Sequence, residues 1–125
     1  MWKKALPLLL APCLLAGCSS TFTNLTAQHQ VRNPNNLYPV EVALNTRQQS
    51  LRWDTIRAFV VVEEQPYEMR QTLLMKNRWE GLVPAPSRTN VVFYHYKFDF
   101  QYNALGEPKA DSDSSPEYRL LILDK

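Results

Sequence analysis

The chain has very few of the residues that usually build catalytic or metal sites. It contains two cysteines and two histidines among its 125 residues. Both cysteines, Cys13 and Cys18, lie near the N-terminus, so the rest of the chain has no thiol for a disulfide, a zinc site or a nucleophile. His95 and Asp99 are four residues apart on one expected strand, ~13 Å, too far for a catalytic pair. We therefore expect no catalytic residue, no metal, no cofactor and no enzymatic activity.

An excess of charge of one sign is also missing. The chain has 14 basic and 12 acidic side chains, a formal net charge of +2. Lys3 and Lys4 account for the whole excess, and without them the chain is neutral. A neutral domain lacks the basic surface that binds nucleic acid, so we expect no nucleic-acid partner.

The first 18 residues form a recognisable signal. Lys3 and Lys4 precede an apolar stretch, residues 5–14, that is too short to span ~30 Å of hydrocarbon. The residues that follow, Leu15-Ala16-Gly17-Cys18, resemble the lipobox of bacterial lipoproteins. The resemblance implies cleavage before Cys18 and attachment of a diacylglyceryl group and palmitate to that residue. An ordinary secretory signal, or an N-terminal helix packed on the domain, is the alternative.

The lipobox divides the chain into three parts. Residues 1–17 are the expected signal peptide, residues 18–30 the lipidated cysteine and a polar tether, and residues 31–125 the folded domain. The alternative for the tether is a short edge strand built around Phe22 and Leu25. Ser19 follows the cysteine in place of the aspartate that retains such proteins in the inner membrane. We therefore expect an outer-membrane lipid anchor, with the domain facing the periplasm.

Alternation of apolar and polar residues is the dominant pattern after residue 31. Such a period of two is typical of half-buried β-strands, whereas no long segment shows a helical period. The expected strands are residues 38–44, 56–62, 79–83, 91–102 and 117–123, with shorter pieces between them. Residues 103–116 are polar and predict a long loop. The pattern favours an all-β, immunoglobulin-like antiparallel sandwich of two sheets and about seven strands, with a small barrel as the alternative.

Residues 77–86, Asn-Arg-Trp-Glu-Gly-Leu-Val-Pro-Ala-Pro, and the run Tyr-His-Tyr-Lys-Phe at 94–98 resemble early-set immunoglobulin-like modules attached to starch- and glycogen-active enzymes. The resemblance covers residues 77–99 and implies a sandwich fold and glycan binding. The chain departs from these modules in having no Gly-Asp-Phe-Asn-x-Trp type of run earlier in the domain.

Two functions are consistent with these features. The first is a lipid-anchored, non-catalytic sandwich that binds or scaffolds a protein partner in the cell envelope. The alternative is a glycan-binding module, for which Trp53 is the candidate exposed aromatic residue because it lies between Arg52 and Asp54 in a loop-like context. Trp79 is expected to lie in the core instead.

Overall fold

The structure is a computed structural model that describes residues 21–124, and these residues form a β-sandwich without helices. Within that range no helix is long and apolar enough to cross a membrane. The strands are β1 Thr21–Asn24, β2 His29–Val31, β3 Leu37–Asn45, β4 Leu51–Val62, β5 Gln65–Glu68, β6 Arg70–Gln71, β7 Arg78–Pro84, β8 Val91–Ala104, β9 Glu107–Ser114 and β10 Tyr118–Leu123.

The strands form two sheets whose order is that of an immunoglobulin domain. The first sheet has the order β1-β3-β7-β6, which follows the A-B-E-D order of that fold. The second has the order β2-β10-β8-β4-β5, with β9 also paired to β8. All pairings are antiparallel except that of β2 with β10. The predicted immunoglobulin-like sandwich is confirmed, and the barrel alternative is wrong because the two sheets do not close on each other.

Two runs of chain cross from one sheet to the other. At one edge β1 pairs in the first sheet and β2 in the second, and at the opposite edge β5 pairs in the second and β6 in the first. Counting each crossing run as one strand leaves the seven strands expected from the sequence, with β9 added as a hairpin partner of β8. The crossings leave part of the first sheet uncovered at both edges.

The core lies between the sheets, where the alternating residues point. Tyr38, Val40, Val42 and Leu44 of β3 are all buried, as the period of two predicted. On β8 the even-numbered residues from 92 to 98 are buried in the same way. Trp79 is 3% exposed and stands edge to face against Phe98 with ring centroids 5.0 Å apart. Its predicted core position is confirmed.

The predicted tether is wrong over the described residues 21–30. Thr21–Asn24 forms β1 on β3, and His29–Val31 forms β2 on β10. The alternative of an edge strand around Phe22 is what the structure shows. The sequence of this segment predicts a tether because it has few apolar residues, whereas backbone pairing to β3 and β10 and hydrogen bonds of polar side chains hold it to the sandwich. Residues 18–20 lie outside the described range.

The predicted loop at residues 103–116 is also wrong, because most of it is β9. Leu105 and Gly106 have φ angles of 53° and 84° and form the turn of a β8–β9 hairpin. Two successive left-handed residues are typical of the tight turn that matches strand twist. Nearly every side chain of β9 is exposed. A strand with no buried face has no apolar alternation, so its sequence looks like a loop.

Candidate functional site

An open groove runs across the outer face of the first sheet, and we call it the outer groove. Its floor is the outward side of β3 and β7, and its walls are the β1–β2 connection and the β5–β6 run. Its volume is about 1450 Å³. The exposed or half-buried apolar residues that line it include Leu25, Ala27, Val31, Pro39, Pro66, Tyr67 and Leu82. A concave surface with this lining is typical of a binding site.

The β3 side of the outer groove has no free backbone edge. Beyond the end of β1, the backbone amide of Glu41 donates to the Thr26 hydroxyl at 2.9 Å. The carbonyl of Pro39 accepts a hydrogen bond from Gln30 Nε2, also at 2.9 Å. Side chains of the β1–β2 connection and of β2 therefore replace the missing strand, and this side of the groove is closed.

The β7 side, in contrast, has an open backbone edge. β6 pairs with β7 only at Trp79 and Glu80. The carbonyl of Arg78 accepts from the amide of Thr72, on the β6 side, at 2.9 Å. Because alternate residues of a strand direct their backbone groups to the same edge, the amide and carbonyl of Leu82 also point to that side, beyond the end of β6. No strand of the described sheet pairs with Leu82 there.

Gly81 allows the β5–β6 run, which is the second wall of the outer groove, to lie close to β7. A Cβ added at this residue would be 3.0 Å from Cγ of Met69, which is tighter than ordinary packing. Met69 is buried, and its amide donates to the carbonyl of Ala58 at 2.8 Å. The Met69 side chain therefore fills the gap between the sheets at the point where the β5–β6 run crosses.

Charged side chains around the outer groove are paired within the chain. Arg70 contacts Glu80 at 3.2 Å, and Arg78 contacts Glu41 at 3.8 Å. Exposed pairs of this kind stabilise a fold by only about 0–1 kcal/mol. They can therefore exchange their partners for those of a bound molecule at little cost to the fold.

A buried polar network fixes the β1–β2 connection, which is the first wall of the outer groove, to the core. The Tyr96 hydroxyl donates to Oδ1 of Asn24 at 2.6 Å and lies 2.9 Å from the Thr26 hydroxyl. Nδ2 of Asn24 donates to the Tyr94 hydroxyl at 2.9 Å. Both tyrosines are fully buried. Because unpaired buried hydroxyls are destabilising, the network holds the β1–β2 connection in one position.

The tyrosine network makes stability depend on pH in alkaline solution. Burial raises the pKa of the Tyr96 hydroxyl well above its usual value. Below about pH 10 the residue is protonated in both the folded and unfolded states, so its contribution to stability is complete. Above about pH 10 only the unfolded state loses the proton, and the free energy of unfolding should fall by up to about 1.4 kcal/mol per pH unit from this residue. Chemical denaturation across this range measures the slope, and an equal slope in Tyr96→Phe would contradict the assignment.

The structure places Trp53 away from the outer groove and inside a strand. It lies in β4 rather than in a loop, is half-buried, and packs against the core. Nζ of Lys76 lies 5.0 Å from the centre of its ring. The register of β4 against β8 shifts between Arg52 and Arg57, so β4 is irregular around Trp53. The expected loop around Trp53 is this irregular part of β4.

The other predicted features do not form a second site. Cys18 lies outside the described residues. His95 and Asp99 remain four residues apart on β8, where they pair across to Val61 and Arg57 respectively. Within residues 21–124, no three histidine, cysteine, aspartate or glutamate side chains are grouped so that they could hold a metal ion.

The residues that define the outer groove were not among the predicted site residues. Leu82 carried the clearest signal, because it is a large apolar residue at an outward position of a strand whose inward residues include Trp79 and Val83. Thr26 carried no such signal, since a threonine in a polar segment predicts an exposed side chain. Its burial depends on tyrosines about 70 residues away.

Comparison with known proteins adds no family to this description. No protein-family model matches the chain, and no curated protein matches it.

Proposed function

We propose that this protein is a lipid-anchored, non-catalytic component of the bacterial cell envelope that binds an extended segment of a protein partner in its outer groove. The observation that carries the proposal is the free edge of β7 at Leu82, which lies beside exposed apolar side chains. An incoming strand would pair its backbone with this edge and place alternate side chains on the outer face of the sheet, next to Leu82. This mode of recognition is β-strand addition.

The chemistry of the outer groove favours a polypeptide over a sugar. A free amide and carbonyl at a sheet edge match the backbone of an extended peptide, and Pro39 and Leu82 offer apolar contacts to its side chains. Glycan sites instead depend on an open aromatic face. Trp53 is half-buried, with the ammonium group of Lys76 over its ring, and it does not line the groove. The glycan alternative therefore has less support.

The lipid anchor is the second part of the proposal. Cys18 precedes the first residue of β1, Thr21, by three positions. Two or more acyl chains on Cys18 would hold the domain at a membrane far more firmly than one chain does, because each buried methylene contributes about 0.8 kcal/mol. With Ser19 after the cysteine, the proposed location is the outer membrane, with the domain in the periplasm.

Leu82→Asp is expected to weaken binding of the partner by about tenfold or more, because a charge at the groove floor must be desolvated beside apolar side chains. Crosslinking in intact cells, followed by mass spectrometry of the captured proteins, measures the loss. Phe93→Asp is the matched control. Phe93 is 53% exposed and Leu82 is 51% exposed, and the two lie on outer strand faces of opposite sheets.

Two outcomes would contradict this proposal. One is recovery of the same partner at the same yield from the parent and from Leu82→Asp. The other is equal loss in Leu82→Asp and Phe93→Asp, which would show a general effect of surface charge. Where the partner has been purified, hydrogen exchange adds a direct test, because its binding should slow exchange of the Leu82 amide.

A further inference from the structure

The most exposed large apolar side chains of the sandwich are three leucines on turns. Among the described residues, Leu73, Leu74 and Leu105 are 84%, 94% and 104% exposed, and no other large apolar residue exceeds 58%. Leucines this exposed contribute nothing to the core. They therefore need an explanation outside the fold of the isolated domain.

All three leucines lie at the end of the sandwich where β1 begins. Thr21 pairs with Asn45 at the end of β3. The amide of the adjacent Leu44 donates to the carbonyl of Asn77 at 2.9 Å, which places the β6–β7 turn, residues 72–77, at the same end of the first sheet, on the other side of β3 from β1. The β8–β9 turn is at the same end, because β8 pairs near its C-terminus with the first residues of β4. We call this region the Thr21 end. It consists of the start of β1, residues 46–50, residues 72–77 and the β8–β9 turn.

Charge differs between the two ends of the sandwich. The segments 46–50 and 72–77 contain two basic residues, Arg47 and Lys76, and no acidic residue. The β8–β9 turn is followed by Glu107 and Lys109, which balance each other. At the opposite end, the turns and the end of β10 carry four acidic residues, Glu63, Glu64, Glu117 and Asp124, which outnumber the two basic residues Arg32 and Arg88. The Thr21 end therefore combines exposed leucines with positive charge.

The β6–β7 turn holds its leucines outward in a defined conformation. Leu74 has a φ of 64°, in the left-handed region that a leucine rarely adopts. The turn is closed by the amide of Met75, which donates to the carbonyl of Thr72 at 3.0 Å. Nε2 of Gln71 donates to the carbonyl of Lys76 at 2.7 Å. These bonds fix the turn, so the exposure of its leucines is built into the structure.

The β8–β9 hairpin is long enough to reach the surface that a lipid on Cys18 would enter. The rings of Phe22 and Phe98 are in contact, with centroids 5.2 Å apart. Cys18 precedes Phe22 by four residues and so lies at most ~14 Å away along the chain. Leu105 follows Phe98 by seven residues, which is ~23 Å along an extended strand. The hairpin tip therefore extends from the aromatic contact at least as far as the cysteine can.

From this juxtaposition we propose that the Thr21 end is a membrane-docking surface. Leu73, Leu74 and Leu105 enter the headgroup region of a phospholipid bilayer, and Arg47 and Lys76 contact anionic headgroups. Apolar side chains combined with basic ones are what bind a protein at the surface of an anionic membrane. The inference rests on the lipid anchor of the proposed function, because Cys18 brings this end to the bilayer.

The test uses a defined tether in place of the acyl chains. A fragment beginning at Ser19 keeps every strand and core residue described above and contains no cysteine. Histidine-tagged at its N-terminus, it is bound to nickel-chelating vesicles of phosphatidylethanolamine and phosphatidylglycerol that contain brominated lipid. One fluorophore is attached through Leu74→Cys or, at the opposite end, through Ser87→Cys.

We expect the bilayer to quench the fluorophore at position 74 several-fold more than the one at 87. Leu73→Asp, and separately the pair Arg47→Glu and Lys76→Glu, should each reduce quenching at 74. Equal quenching at both positions, or no response to these variants, would overturn the docking surface. Because the histidine tag replaces the lipid, this result does not depend on acylation of Cys18, which is tested separately by fatty-acid labelling.

Discussion

Replacing Trp79 by alanine is expected to lower the free energy of unfolding by about 3–5 kcal/mol. The side chain is 3% exposed and packs edge to face on Phe98 between the two sheets. Its removal leaves a cavity in a close-packed core, and a domain of this size has a total stability of only about 5–15 kcal/mol. Chemical denaturation of the fragment beginning at Ser19 measures the change.

Two further variants make that measurement specific. Phe98→Ala should cost about as much as Trp79→Ala, because both rings belong to the same contact. Trp53→Ala should cost less, since that ring is half-buried and lies beside Lys76. A Trp79→Ala protein as stable as the parent would mean that the ring is not part of the core.

Cys18→Ser is expected to abolish attachment of fatty acid and to leave the signal uncleaved, because serine lacks the thiol that accepts the lipid. Metabolic labelling with a fatty acid measures the loss, which should be complete. Cys13→Ser is the matched control, since Cys13 lies within the apolar stretch and outside the lipobox. Undiminished label in Cys18→Ser, or loss of label in both variants, would refute the lipobox assignment.

The strands that sequence reasoning found are those with one buried face. β3 and β8 alternate over most of their length, because their inward residues fill the core and their outward residues are more exposed, with Ala43 as an exception on β3. β7 and β10 follow the same rule over shorter lengths. Where burial alternates along a strand, apolar and polar residues alternate in the sequence. The fold class follows from the number and spacing of such segments.

The strands that sequence reasoning missed have no such face. β9 is almost wholly exposed, and backbone pairing to β8 holds it in place. β1 and β2 are short strands paired with β3 and β10, and the connection between them is fixed by Asn24 and Thr26, whose partners are tyrosines on a distant strand. A local pattern cannot reveal bonds whose partner lies about 70 residues away.

The outer groove could not be predicted for a related reason. It exists because the β1–β2 and β5–β6 runs change sheets and leave the middle of β3 and β7 uncovered. The points of crossing depend on three-dimensional packing, such as the approach of Met69 to Gly81. Only the outward position of Leu82 within an otherwise core-facing strand gave an indication of the site.

The pairing of β1 with β3 also has a mechanical consequence. A pull on the chain before Thr21 acts along the axis of β1, so the hydrogen bonds to β3 are loaded in shear and must break together rather than one after another. The bonds of Asn24 and Thr26 to Tyr96 lie further along the same line of force. In the protein as proposed, tension between a lipid-anchored N-terminus and a partner on β7 would pass through this ladder, and the edge strand β1 would be the part of the sandwich that bears the force.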